Sequence, residues 1–192
     1  MGRPPSSEIH SALLDAAGRL FYERGIGTTG VDTVAGTAGV GKPALYRHFV
    51  SKAGLVDATL AKRDVDRRQS LVSALEHTTS LPAKRLEAAV EWQLHWVGDT
   101  RFRGCGFVRA AAELQAGGQA AATRAHEHKT WYRAELERLA SAAGAADPAQ
   151  LAIRLALVVE GATTLAFLGD RDLVIDEARK LTQQLIQQSC PS

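Results

Sequence analysis

The stretch "TVAGTAGVGKPALYRHFVSKAGL", residues 33–55, decides how the whole chain is read. Val34, Ala35 and Ala38 fall on one side of a helix. "AGVG" then interrupts, and Leu45 and Phe49 recur four residues apart beyond the break. Gly39 and Gly41 suit a tight turn between helices, because glycine tolerates backbone conformations closed to other residues. Pro43 is acceptable in the first turn of the next helix, where its missing N–H has no intrahelical partner. The spacing predicts two short helices joined by a glycine-containing turn, the second running from Lys42 to about Phe49. Thr29 is placed to cap the first of them, with Asp32 three residues on as its acidic partner, a capping-box-like arrangement. Ser51 is placed to cap a long fourth helix reaching residue 77.

Upstream, Ile9, Leu13, Ala16, Leu20 and Phe21 share one face of a first helix that Gly25 stops, after Arg24 has put a cation in its last turn. Three helices with a glycine turn between the second and third describe a helix-turn-helix. In such a unit the N-terminal part of the third helix meets base edges, while flanking hydroxyls and cations hold phosphates. Lys42, Pro43, Ala44, Tyr46, Arg47 and His48 lie on or near its outer side, with Lys52, Thr28 and Thr29 as further DNA contacts. Two glycine motifs compete with this reading. "GIGTTG", residues 25–30, satisfies the dinucleotide fingerprint by letter but follows a helix, where that fingerprint needs a strand. "GTAGVGKP", residues 36–43, is one residue from a phosphate-binding loop, yet Pro43 stands where a hydroxyl must hold Mg²⁺.

Residues 28–55 strongly resemble the DNA-binding segment of TetR/AcrR-family transcriptional regulators. The matching positions are Thr29, Val34, Ala35, Ala38, Gly39, Val40, Leu45, Tyr46, His48, Phe49, Ser51, Lys52 and Leu55. Gly36, Gly41 and Gly54 depart from the family pattern, each costing up to about 1 kcal/mol in helix propensity. The resemblance implies a homodimer bound to a near-palindromic double-stranded DNA operator, most often as a repressor, and a small-molecule effector held among the helices of a second domain.

Composition agrees with a soluble regulator of this size. The chain has 192 residues, 45% hydrophobic and 23% charged. Its net charge of +2 is unevenly spread: residues 1–68 hold ten Lys and Arg against seven Asp and Glu. A basic N-terminal excess suits a polyanion partner, since neutralised phosphates release counterions. "MGRPPS" reads as a stiff basic arm. The apolar stretch 151–169 carries Arg154 and Glu160, so no membrane span is expected. Cys105 and Cys190 make no disulfide framework, and a reducing cytoplasm is the expected setting.

The remaining periodicity is helical, which makes the expected fold all-α. The helix-turn-helix domain is expected over residues 1–50, linked through the helix 51–77 to a helical effector-binding and dimerisation domain within 51–192. Leu86, Ala89, Val90, Leu94 and Val97 form the stripe of a helix beginning at Pro82. Further helices are expected over 107–114, 119–143, 149–168 and 172–188. Leu155, Val158, Val159, Ala162 and Leu165 of the penultimate helix have no evident cover. Val174, Ala178, Leu181 and Leu185 repeat along the last, and the two seams are expected to pair with those of a second subunit as a four-helix interface.

For the effector, Trp92 and Trp96 share a face, on which Phe102, Phe107, Trp131 and Tyr132 can converge. Apolar walls suit a hydrophobic or aromatic ligand oriented by His95, Arg109 or Glu113. Each aromatic could equally be plain core. Cys105 reads either as a redox sensor or as a buried inert thiol. The rival class is a helical small-molecule-binding protein or enzyme without DNA binding. Against an enzyme, there is no Glu-x-x-His spacing, and His126 and His128 in "HEH" point about 200° apart on a helix. Glu91 and His95 fit an ordinary helix pair. Neither a metal, a cofactor nor a catalytic residue is expected.

Overall fold

Residues 6–114 and 119–190 are described by a computed structural model, and every regular element among them is an α-helix. The basic arm expected at residues 1–5 lies outside them. The chain gathers into two units, residues 1–67 with 106–127 and residues 68–105 with 128–192. These limits differ from the expected 1–50 and 51–192 in two places: the start of the fourth helix and the segment after Cys105 both join the N-terminal unit.

The first unit holds α1 (Ser6–Arg24), α2 (Val31–Thr37), α3 (Lys42–His48), the start of α4 (Lys52–Glu76), α6 (Gly106–Glu113) and the start of α7 (Gln119–Ala142). Gly25 ends α1 at φ +95°, in the left-handed region, and its N–H reaches the Phe21 carbonyl at 3.0 Å. The periodic face of α1 is buried, together with Val34, Leu45, Phe49, Leu55, Val56 and Leu60 from the helices it meets. Full burial of such a side chain stabilises by about 1.5–3 kcal/mol, so this small unit has a core of its own.

The second unit is built on α5 (Pro82–Gly98), α8 (Pro148–Leu168) and α9 (Arg171–Ser189), packed on one another, with the ends of α4 and α7. The whole predicted stripe of α5 is buried, and Tyr132 Oη donates to the Ala89 carbonyl at 3.1 Å. Asp147 caps α8 by accepting from Gln150 N at 2.9 Å, with Pro148 in the first turn.

The helix α8 is long and apolar enough to cross a membrane by composition, with mean hydropathy 1.8. In this fold one side of it is core. Leu155, Val159 and Ala162, and Ala178 of α9, are buried inside the protomer, which corrects the expected subunit seam. Val158, Val174 and Leu185 are partly buried against the same core. Of the expected seam, Leu165 and Leu181 are exposed, and the other exposed large apolar residues of α8 and α9 are Ile153, Leu157, Phe167, Leu168 and Leu173. A helix apolar nearly all round gives no sequence signal for which side its own protomer covers, and here the outward side is rotated from the expected one.

Candidate nucleic-acid interface

The turn between α2 and α3 is a Schellman closure. Gly39 takes φ +70°, Val40 N donates to the Ala35 carbonyl at 2.9 Å and Gly39 N to Gly36 at 3.1 Å. Gly41, expected to share this special geometry, is extended at φ −79° and serves as the N-cap of α3. Leu45 and Phe49 anchor α3 from beneath at 0% and 5% exposure. That leaves Lys42, Pro43, Arg47 and Tyr46, the last 45% exposed, on the outer side. Ala44, His48 and Lys52 are half-buried.

Local partners constrain several of these side chains. The Lys42 ammonium lies 3.1 Å from the Asp32 carboxylate, and that hydrogen bond holds its pKa above the ordinary lysine value. The His48 ring sits 5.7 Å from that of His10, which in turn stacks on Phe49 at 4.8 Å. Ser51 accepts from Gly54 N at 3.1 Å, the expected cap of α4. Thr29 is corrected. The N-cap of α2 is Gly30, with no side-chain cap, and the Thr29 hydroxyl is buried, donating to the Gly25 carbonyl at 2.7 Å. Thr28 is exposed and donates to Arg24 O at 2.5 Å. Both hydroxyls satisfy carbonyls left free where α1 ends, a demand that competes with capping the next helix.

Arg109 and Glu113, expected to orient an effector, bond to backbone groups of this unit. Glu113 Oε2 accepts from Ile26 N at 2.6 Å and Gly27 N at 3.0 Å, while Arg109 donates to the Tyr22 carbonyl at 2.9 Å. The Tyr22 ring carries the guanidinium groups of Arg63 at 4.3 Å and Arg109 at 5.8 Å. The cavity bounded by α1, α4 and α6 at this point measures about 30 Å³, room for a water or two. Sequence reading missed Tyr22 and Arg63. The α6 contacts link positions more than eighty apart, and only a cation and a carboxylate spaced i, i+4 on α6 hinted at them.

The expected effector residues divide. Phe107 and Arg109 belong to the first unit; Trp92, His95, Trp96, Phe102, Cys105 and Trp131 belong to the second. There Trp92 and Trp131 flank Tyr132 at ring distances of 6.1 and 6.4 Å, and Arg68 lies 4.7 Å over Trp131. Trp96 meets the buried Phe102 edge-on at 4.8 Å. His95 lies outside these clusters, on an open groove of about 780 Å³ along α5 and α9 with Asp99, Arg101, Asp172, Asp176 and Arg179.

The family model described as "Bacterial regulatory proteins, tetR family" matches residues 13–59, which span α1 to the start of α4. Among curated proteins, the HTH-type transcriptional activator FasR of Mycolicibacterium smegmatis is 45% identical over 89 residues, covering 46% of this chain and 40% of FasR. The HTH-type transcriptional repressor KstR2 of Rhodococcus jostii is 48% identical over 66 residues, 31% of this chain and 32% of that protein. The matched segment thus spans less than half the length of these curated relatives. Likeness to solved structures covers the chain: SCO4454, a TetR-family transcriptional regulator from Streptomyces coelicolor, superposes with a TM-score of 0.88 over 95% of this chain and 96% of its own, at 26% identity. A regulator from Streptomyces avermitilis gives a TM-score of 0.75 at 29% identity, over 92% of this chain and 97% of that one.

Proposed function

We propose that this chain, which belongs to the TetR family of bacterial regulatory proteins, binds a near-palindromic DNA operator as a homodimer and is released from it by a small, largely apolar effector. One observation carries the reading. Leu45 and Phe49 bury one side of α3 while Lys42, paired with Asp32, and Tyr46 and Arg47 are exposed on the other, so the helix presents a cation-bearing face that its own core does not use. Base edges are read by such a face, and phosphates are held by its rim, including Lys52 at the start of α4.

The homodimer is supported by the outward side of α8. Ile153, Leu157, Gly161, Leu165 and Leu168 follow one another at helical spacing, and nothing lies within 4 Å of where a Cβ on Gly161 would stand. A glycine on an apolar stripe lets a second helix approach closely. Two copies related by a twofold axis would place their α3 helices on half-sites about 34–36 Å apart, or a multiple of that. The aromatic group around Tyr132 supports an apolar or aromatic effector. Its route to the reading helix would pass along α4, whose residues contribute to both units. A 100-fold preference of the effector for the released state corresponds to about 2.7 kcal/mol.

The test is fluorescence anisotropy of the full chain on genomic fragments flanking its own coding sequence, with random DNA as competitor. Binding to one fragment that survives competition, with two protected half-sites, is the expected result. Equal affinity for all fragments overturns the reading. One curated relative is an activator and another a repressor by name, so transcription from the bound promoter, with and without the chain, fixes the sign.

A further inference from the structure

The cavity bounded by α1, α4 and α6 is apolar within and charged at its rim. Phe21, Ile26, Val56, Leu60 and Ala110 form its wall, and all are buried. Its charged side chains are Arg63, Arg109 and Glu113, two cations and one anion, so the lining leaves one positive charge unbalanced. The Glu113 carboxylate is committed: it accepts from Ile26 N and Gly27 N and lies 4.0 Å from Arg109. Arg109 is committed as well, through its 2.9 Å bond to the Tyr22 carbonyl. Arg63 remains. Its half-buried guanidinium lies over the Tyr22 ring at 4.3 Å, and among the described residues it has neither a hydrogen bond nor an ion pair. Gly106 makes room for it, since a Cβ there would stand 3.1 Å from Arg63 Cζ and 3.2 Å from its Nε. The fork is thus packed between a ring and the start of α6 while its donors stay available.

We propose that this cavity binds a short-chain monocarboxylate of about propionate size, with its carboxylate on Arg63 and its alkyl end against the apolar wall. The planar guanidinium matches a carboxylate with two parallel N–H donors, and the unbalanced charge selects an anion. Size sets the chain length. The cavity measures about 30 Å³, and at roughly 10–15 Å³ for each water-sized group it admits about two of them, the methylene and methyl of propionate. A phosphate or sulfate would leave the wall uncovered, and an aromatic ring exceeds the space. Every lining residue belongs to the first unit, so the site is separate from the aromatic group around Tyr132 and stands independently of DNA binding.

The full chain, labelled with ¹⁵N, is titrated with sodium propionate and, at matched ionic strength, with sodium chloride, while the Arg63 Nε–H signal is followed by NMR. A saturable shift with propionate and none with chloride is expected. Acetate should bind about fourfold more weakly, the effect of one buried CH₂, and benzoate should not compete. In Arg63→Met, the propionate-induced shifts of the Gly106 and Ala110 amides should need at least tenfold more ligand, as for the loss of a charge-assisted hydrogen bond. Equal shifts with chloride, equal affinity for acetate and propionate, or undiminished binding in a folded Arg63→Met each overturn the proposal. Should Arg63→Met fail to fold, Arg63→Lys, which keeps the cation and loses the fork, decides: undiminished affinity there also overturns it.

Discussion

The Glu113 carboxylate accepts a hydrogen bond from the backbone N–H of Ile26 at 2.6 Å, so that α6 closes the turn that ends α1. Gly27 N donates to the same oxygen at 3.0 Å. Glu113→Ala leaves both amides without this partner, at a cost of about 1–3 kcal/mol; the side chain's partial exposure favours the lower end. Gly25→Ala attacks the same point from the backbone. Its φ is +95°, and the new Cβ would stand 3.1 Å from Glu113 Oε2, so a loss of about 1–2 kcal/mol is expected. Urea denaturation of the full chain measures both. Additive losses in the double variant would show that the two positions do not share one contact.

On DNA, Lys52→Ala should weaken binding to all sequences similarly and lower the salt slope by about 1, as for one lost phosphate contact. Arg47→Ala or Tyr46→Ala should change the ranking of operator variants. Thr29→Val behaves differently. It should cost about 1 kcal/mol of stability through the lost bond to Gly25 and leave the salt slope unmoved, because the hydroxyl faces inward. Titrations at several salt concentrations separate the three cases.

Subunit association distinguishes two leucines on one helix. Leu157 is 65% exposed and Leu155 fully buried. Leu157→Asp should yield monomers with native helicity by sedimentation. Leu155→Ala should instead destabilise the protomer by about 2–5 kcal/mol, the cost of a core cavity. Loss of the dimer in neither variant would move the interface off this face.

Acid should release the connection after α5. Side-chain and then backbone hydrogen bonds from Arg101 hold the Asp99 carboxyl well below its ordinary value of 3.8. A depressed carboxylate contributes in full above its unfolded pKa and loses that contribution as pH falls below about 3.8 toward the folded value. In an NMR titration the Asp99 midpoint should rise toward the ordinary value in Arg101→Ala. An unchanged midpoint would remove Arg101 as the cause.

The elements legible in the sequence were those governed by local rules. The α1 stripe, the Gly39 turn, the Ser51 cap and the buried pair Leu45 and Phe49 all follow from periodicity and backbone chemistry. Thr29 failed because two local demands compete for one hydroxyl, and the end of α1 prevails over the start of α2. Leu155, Val159, Ala162 and Ala178, expected on the subunit seam, are protomer core, and here local rules say nothing: α8 is apolar on nearly every side, and only the positions of α5 and α9 determine which side is covered. Arg109 and Glu113 were noticed for their charge, but their bonds to backbone groups some eighty positions away were not legible from it.

All three tryptophans, Trp92, Trp96 and Trp131, lie in the second unit. Indole emission is therefore a private signal of that unit, while circular dichroism sums over every helix. During denaturation the two optical records need not agree. Coincident curves would mean that the reading unit and its neighbour melt as one cooperative body; separated curves would resolve the melting of each unit in a chain carrying no added label.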